Sequence, residues 1–229
     1  MRIFHGSDHI IPRPDPDGGR IHNDYGRGFY CTKYPDMAKE WASSPDRGGY
    51  LNEYDLNTSG LKVLDLNEYP VIVWLTVLLE NRIFSLNSEL SKEAYSYLTD
   101  RFHIDYGGYD IITGYRADDS YFAFARDFLN GTISLRKLAA AMQLEKLGDQ
   151  IVLKSRKAFD RIEFVGSEEV DSKIWYPKRI KRDEEARNTY HSIDKGYVRG
   201  EIYITHILDE EMTIEDERLQ LPVSSGRTK

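Results

Sequence analysis

The sequence predicts an α+β domain, in which short strands and helices follow one another without the regular βαβ spacing of a parallel sheet. Three observations support this class: strand-like stretches are short, helical periodicity appears between them, and there are no internal repeats. The 229 residues, of which 40% are hydrophobic and 30% are charged, suffice for one globular core. We therefore expect one α+β domain followed by a C-terminal extension.

The N-terminal part predicts two strands, a loop and a helix. Arg2–His5 has the pattern of a short strand, and the prolines and glycines of residues 11–19 predict a loop. Phe29–Thr32 predicts the second strand. A helix then begins at Pro35, since proline is tolerated in the first turn, and its spacing places Trp41 beside small and apolar residues.

The middle of the chain predicts a hairpin and two helices. Tyr50–Leu56 and Leu61–Leu66 have strand character, and Asn57–Gly60 between them is typical of a hairpin turn. Pro70–Arg82 and Ser91–Arg101 predict helices, the first of them buried. Its apolar stretch of about ten residues is too short to span a bilayer.

The C-terminal part predicts further strands and helices and ends in a polar tail. The pattern indicates strands at Tyr109–Gly114, Gln150–Lys154 and Ile162–Val165, and helices at Tyr121–Leu129 and after the cap residue Ser134. A basic stretch at 173–187 has helical character, and its positive side chains are typical of a solvated helix face. We therefore divide the chain into a domain at 1–170 and a C-terminal helical extension with a polar tail at 171–229.

Composition excludes several classes of protein. The net charge of −7 does not favour polyanion binding by the chain as a whole, although a local basic groove remains compatible with it. The single cysteine, Cys31, excludes an intramolecular disulfide and suits a reducing compartment. The start of the chain lacks the apolar segment of a signal peptide. We expect a cytoplasmic protein that does not insert into a membrane. The histidines do not show metal-ligand spacing, so we expect no metal site.

The stretch Asp24–Thr32 is the most distinctive part of the sequence. Gly26 and Gly28 allow a positive φ or the close approach of a ligand to the backbone. Tyr30 and the helical Trp41 have flat, amphipathic rings that suit stacking on a planar heterocycle. The alternative is a glycine-rich turn whose aromatic side chains enter the core.

Three stretches together resemble the ADP-ribosyltransferase superfamily, in the branch shared by poly(ADP-ribose) polymerases and diphtheria toxin. His5-Gly6-Ser7 resembles the end of that branch's first strand, and Gly26–Tyr30 followed by Trp41 resembles its second motif. The third element of its His-Tyr-Glu signature is a glutamate that opens a late strand. Gln150, in the stretch Gly148–Leu153, stands where that glutamate is expected.

The chain is also similar to uncharacterised bacterial ADP-ribosyltransferase-like proteins, which are often encoded beside a small partner in toxin–antitoxin fashion. The likeness lies in the stretches Asn23–Tyr30, Arg116–Asp119 and Arg182–Arg187, and covers roughly residues 1–190. It implies a split β-sheet core with peripheral helices, NAD+ as co-substrate, and a cognate antitoxin protein as a partner.

The resemblance implies a role for each matching residue. The Gly6 backbone and the Ser7 hydroxyl would hold the nicotinamide carboxamide, and His5 would bond a ribose hydroxyl of the adenosine half. Tyr30 and Trp41 would sandwich the nicotinamide ring, whose positive charge adds a cation–π contribution. Each of the three larger side chains also has a structural interpretation, as a satisfied strand histidine or as core aromatics.

Further positions complete the expected site. Asn23 and Gly28 would lie beside the bound NAD+, and Gln150 would reach the 2′-hydroxyl of the nicotinamide ribose. Asp149 competes with Gln150 for this place, because neighbouring strand residues point to opposite faces. Glutamine can orient the ribose, but it supplies neither a charge nor a base.

The function that the resemblance implies is mono-ADP-ribosylation of a macromolecular acceptor, protein or nucleic acid, by a bacterial toxin or effector. His5, Tyr30 and Gln150 would be its catalytic residues. Two alternatives remain open: a catalytically silent NAD or ADP-ribose-binding module, which the glutamine favours, and an NAD+ glycohydrolase that uses water as acceptor. An RNA 2′-phosphotransferase would require more basic residues near the motifs.

Overall fold

The computed structural model describes residues 1–116, 119–141, 149–192 and 195–221. Seven strands form one mixed sheet: β1 (Arg2–Ser7), β2 (Phe29–Thr32), β3 (Gly49–Leu56), β4 (Val63–Asp65), β5 (Ile111–Tyr115), β6 (Asp149–Leu153) and β7 (Ile162–Val170). The helices in these ranges are α1 (Pro35–Ala42), α2 (Val71–Asn81), α3 (Glu89–Arg101), α4 (Asp119–Leu129), α5 (Leu135–Ala141), α6 (Arg156–Phe159), α7 (Ser172–Ser192) and α8 (Ile204–Asp209). The predicted α+β class is confirmed.

The sheet has the strand order β4-β5-β6-β2-β1-β3-β7, and every neighbouring pair is antiparallel except β4 and β5. Its centre is narrow, because β1 and β2 share a single register pair, Phe4 with Thr32. On either side of this contact the ladders are longer, with six pairs between β1 and β3 and four between β2 and β6. The sheet therefore consists of two well-paired groups of strands that meet at one short contact.

The predicted hairpin of Tyr50–Leu56 with Leu61–Leu66 is wrong. Both edges of β3 are occupied, by β1 on one side and by β7 on the other. β4 lies at the far edge of the sheet and pairs in parallel with β5. Burial explains this placement, since Leu64 and Leu66 enter the largest hydrophobic cluster together with α2. The burial of apolar side chains therefore outweighed the local turn preference of Asn57–Gly60.

Helix α2 is the centre of the largest hydrophobic cluster, as its apolar sequence predicts. Its residues from Val71 to Leu79 are all buried. Trp74 is fully enclosed, and its indole N–H donates to the Tyr25 hydroxyl at 3.0 Å. Neither α2 nor another helix of the described ranges is long and apolar enough to cross a membrane. The second cluster lies around Ile3, Phe29 and Cys31.

The segment after residue 170 packs on the preceding residues. Helix α7 covers the predicted basic stretch, and the guanidinium of Arg182 forms an ion pair with Glu40 of α1. Ile204 and Ile207 of α8 belong to the same hydrophobic cluster as α2. The division of the chain at residue 170 stays a prediction, and the end of the predicted polar tail, from 222 to 229, lies outside the described residues.

Candidate functional site

A cleft of about 640 Å³ opens beside the narrow centre of the sheet. This volume lies in the range of roughly 300–1,000 Å³ that is usual for ligand pockets. Six of the eight predicted site residues line it: His5, Gly6, Asn23, Gly28, Tyr30 and Trp41. They come from β1, from the loop and turn before β2, from β2 itself and from α1, so the fold gathers positions that are up to 36 residues apart, from 5 to 41.

The side chain of His5 forms a hydrogen bond from β1 to the backbone of β2. Its Nδ1 lies 2.7 Å from the carbonyl oxygen of Tyr30. A carbonyl oxygen only accepts, so Nδ1 carries the hydrogen and donates it. Burial is the largest cause that lowers the pKa of His5, which keeps the ring neutral. Nε2 of this tautomer is an acceptor, so it can take a hydrogen bond from a hydroxyl group.

Gly6 allows α1 to cross β1 at close range. A Cβ at this position would overlap the carbonyl oxygen of Ala38, so a larger residue would force α1 away from the sheet. The close approach matters for the cleft, because Trp41 lies on the same helix one turn further along. Gly6 therefore has a packing role in addition to the backbone role that the sequence predicts.

Tyr30 has its hydroxyl tied to the glycine-rich turn. The hydroxyl donates to the carbonyl of Gly26 at 2.6 Å and accepts from the backbone N–H of Tyr25 at 3.0 Å. Gly26 has a φ of 71°, which glycine adopts at little cost. Burial is the main cause that raises the pKa of Tyr30, so the phenol stays protonated. Because both ends of the side chain are held, the ring keeps a fixed orientation beside the cleft.

Trp41 presents a half-buried ring to the cleft. The guanidinium of Arg116 lies 5.1 Å from the ring centroid, within cation–π range. The indole Nε1 is buried and has no hydrogen-bond partner among the described residues. A buried donor without a partner is costly, and it suits a site that a polar ligand completes.

Ser7 lies outside the cleft lining. Its hydroxyl donates to the carbonyl of His9 at 2.6 Å and accepts from Nδ2 of Asn52 at 2.9 Å. These bonds fix the end of β1. The predicted contact of Ser7 with a carboxamide stays a prediction.

Gln150 also lies outside the lining and is only 3% exposed. It pairs with Thr32 of β2, two positions from Tyr30 along the same face. Its amide nitrogen donates to the carboxylate of Asp24 at 2.9 Å and to the carbonyl of Tyr115 at 3.4 Å. The side chain therefore forms part of a buried polar network with Asp24 and the backbone of Tyr115. Its catalytic role stays a prediction.

Sequence reasoning missed three residues of this region. Asp24 is 5% exposed, and Nε of Arg82 lies 3.7 Å from its other carboxylate oxygen. Arg13 and Arg20 line the cleft from the loop after β1. The proline and glycine pattern of that loop identified it as a loop, but it carried no signal for the side on which its arginines would lie.

Two further predictions concern residues outside the described ranges and the expected lack of a metal site. Gly148 and Asp118, which belong to stretches that support the family resemblance, lie outside the described residues. In the part of the chain that is described, the His, Cys, Asp and Glu side chains form no group that could hold a metal ion.

The chain matches one family model, described as "Protein of unknown function (DUF3990)", over residues 1–164. No curated protein and no solved structure matches it significantly. The matched segment contains the strands β1 to β6 and the entire cleft. Because it covers more than half of the chain, the protein belongs to the DUF3990 family of proteins of unknown function.

Proposed function

We propose that the protein is a mono-ADP-ribosyltransferase, which cleaves NAD+ at the nicotinamide–ribose bond and transfers ADP-ribose to a macromolecular acceptor. The observation that carries the proposal is the cleft in which His5, Gly6, Tyr30 and Trp41 come together. These are the residues for which the family resemblance implies binding of the nicotinamide half and of a ribose hydroxyl.

The chemistry of the cleft agrees with this ligand. Two aromatic rings, one of them held by hydrogen bonds at its hydroxyl, suit the flat and positively charged nicotinamide ring. Nε1 of Trp41 is a donor without a partner among the described residues, and Nε2 of His5 is an acceptor in the tautomer that the Tyr30 carbonyl selects. Together they offer the two polarities that suit a carboxamide and a ribose hydroxyl.

The reaction requires little covalent participation by the protein. The bond between C1′ of the ribose and the ring nitrogen breaks, and nicotinamide leaves with the electron pair. The ribosyl group passes through an oxocarbenium-like transition state, the nucleophile of the acceptor bonds to C1′, and its proton is released. Positioning and electrostatic stabilisation therefore dominate, as in glycoside hydrolysis.

Asp24 supplies a carboxylate beside the neutral Gln150. The amide of Gln150 lies 2.9 Å from this carboxylate, so a carboxylate remains in the region where the family resemblance leads one to expect a glutamate. In the proposed reaction Asp24 favours positive charge on the nicotinamide ribose through the low-dielectric interior, and Gln150, which does not line the cleft, fixes the orientation of that carboxylate.

The test is nicotinamide release from labelled NAD+, measured with and without cell lysate for the wild type and for Tyr30→Ala. We expect Tyr30→Ala to lower turnover about 10²-fold or more, since it removes one side of the ring site. Tyr34→Ala is the matched control, because Tyr34 is 51% exposed and does not line the cleft. His5→Ala provides a second variant, and thermal unfolding of each variant reports on its fold. Equal turnover in folded Tyr30→Ala and wild type would contradict the proposal.

The second candidate is a silent NAD or ADP-ribose-binding module. The observation that favours it is that position 150 holds a buried glutamine where the family resemblance leads one to expect a glutamate, because glutamine supplies neither a charge nor a base. Binding of NAD+ by calorimetry without nicotinamide release would support this candidate. Label that ends as free ADP-ribose, and not on a macromolecule, would instead identify an NAD+ glycohydrolase.

The biological setting is part of the proposal. We place the activity in the cytoplasm of a bacterium, as a toxin or effector held in check by a cognate antitoxin protein. The acceptor is a protein or a nucleic acid, and the label transferred in lysate distinguishes the two by its sensitivity to protease or nuclease.

A further inference from the structure

The loop between β1 and β2 brings two arginines to the wall of the cleft. Arg13 and Arg20 both line it, and both have exposed side chains. Within the described parts of the chain, neither guanidinium takes part in a hydrogen bond or an ion pair. Two cations of the same wall are therefore available to a ligand.

Each of these arginines lies near a loop residue whose backbone is in contact with another part of the chain. The backbone N–H of Ile11 donates to Asn52 at 2.8 Å, and its carbonyl accepts from the hydroxyl of Tyr54 at 2.6 Å. Gly19 lies against the backbone of Gly28, because a Cβ on Gly19 would come 2.6 Å from the Gly28 carbonyl oxygen. Arg13 follows the first anchor by two residues and Arg20 follows the second directly. Anchoring the backbone beside each arginine lowers the part of the entropic cost of binding that ordering of the loop would add.

The acidic residues of the loop do not cancel the two arginines. Asp17 forms an ion pair with Arg156 at 2.7 Å, away from the cleft lining. Asp15 lines the cleft, and its carboxylate accepts the backbone N–H of Asp17 at 2.9 Å. The cleft lining thus contains two arginines and one aspartate, although the net charge of the protein is −7. Such a local excess of positive charge attracts anions despite the acidic total.

We propose that Arg13 and Arg20 form the subsite for the diphosphate of a dinucleotide. A guanidinium presents a planar fork of donors that matches phosphate oxygens, and two of them suit a group with two phosphates. Tyr30 and Trp41, in the same cleft, take the aromatic ring of that ligand. The identity of the ligand as NAD+ rests on the proposed function, whereas the anion subsite follows from the arginines themselves.

The experiment measures calorimetric affinity for NAD+, ADP-ribose and nicotinamide riboside, which has the ring and ribose but no phosphate. The variants are Arg13→Gln, Arg20→Gln and the double variant. Arg27→Gln is the matched control, since Arg27 is an exposed arginine in the neighbouring turn whose side chain does not line the cleft. Each variant is compared at two salt concentrations, and its unfolding temperature without ligand confirms the fold.

We expect each single variant to weaken NAD+ and ADP-ribose about tenfold and the double variant further, by the usual strength of a hydrogen bond to a charged group. Binding of nicotinamide riboside should stay within about twofold, and added salt should weaken the wild type more than the double variant. An affinity of the double variant for NAD+ equal to that of the wild type would overturn the inference. So would a wild type that binds neither NAD+ nor ADP-ribose. Arginine-dependent binding without nicotinamide release would instead leave the subsite standing and overturn the transferase.

Discussion

The carboxylate of Asp24 accepts a hydrogen bond from the amide of Gln150 at 2.9 Å, and both side chains are buried. This pair links the start of the glycine-rich turn to β6, 126 residues away in the chain. It gives a physical reason for glutamine at this position. A glutamate would place a second carboxylate against the first, in surroundings where like charges repel strongly.

Gln150→Glu should therefore destabilise the protein, by about 1–3 kcal/mol at neutral pH, because a buried acceptor loses its donor. Burial and Asp24 would raise the pKa of the new carboxyl in the folded state. The native state then binds the proton more tightly, so the loss of stability should shrink as the pH falls and grow as the pH rises. Urea unfolding at several pH values measures it.

The exchange of both residues tests the pair itself. Asp24→Asn with Gln150→Glu restores one acid and one amide, so its free energy of unfolding should be closer to that of the wild type than the sum of the single effects. Additive single and double effects would show that the two side chains do not depend on each other. Nicotinamide release by the exchanged protein then tells whether the acid serves equally well from position 150.

Gly6→Ala should destabilise the protein by about 1–3 kcal/mol, the usual cost of overpacking, because the new Cβ would overlap the Ala38 carbonyl of α1. Gly166→Ala is the control in another strand, since a Cβ there meets nothing within 4 Å. Thermal unfolding compares the two. A Gly6→Ala variant as stable as the control would mean that α1 can move aside without cost.

Binding of NAD+ should weaken at acidic pH, once the pH falls through the pKa of His5 in the folded protein, which lies below the ordinary histidine value of 6.5. Burial lowers the pKa of His5 in the folded protein, so the ring stays neutral at pH 7 and its Nε2 accepts. Protonation at lower pH turns Nε2 into a donor and removes the acceptor. The native state binds this proton less tightly than the unfolded chain, so His5 also makes stability fall as the pH drops below 6.5. Calorimetric titration between pH 5 and pH 8 measures the binding, with His5→Gln as the variant that should lose this pH dependence.

NAD+ should quench the fluorescence of Trp41, one of three tryptophans in the chain, by stacking on its ring. Trp41→Phe should abolish most of the quenching. Trp175→Phe should retain it, because Trp175 lies on α7 and does not line the cleft. If the quenching persisted in Trp41→Phe, NAD+ would not be stacking on the Trp41 ring.

Local patterns predicted much of the candidate site. The glycines, Tyr30 and the proline-initiated α1 follow one another within a short segment, so their arrangement depends mainly on backbone rules and on helical spacing. The apolar sequence of α2 likewise predicted its burial. Such features depend on neighbours in the chain, which a single sequence displays.

Long-range packing decided the rest. The pairing of β4 with β5, in place of a hairpin with β3, depends on where Leu64 and Leu66 can be buried. The bond of Gln150 to Asp24 and the position of Arg13 in the cleft likewise depend on contacts between distant segments.

The sequence by itself therefore determined the α+β class, the turn with its aromatic residues, and which residue types could serve a ligand. Only the tertiary structure decided which of them share a cleft, which carboxylate lies beside Gln150 and which arginines reach the wall. The reason is physical: local propensity acts over a few residues, whereas burial and the pairing of polar groups act between any parts of the chain that fold together.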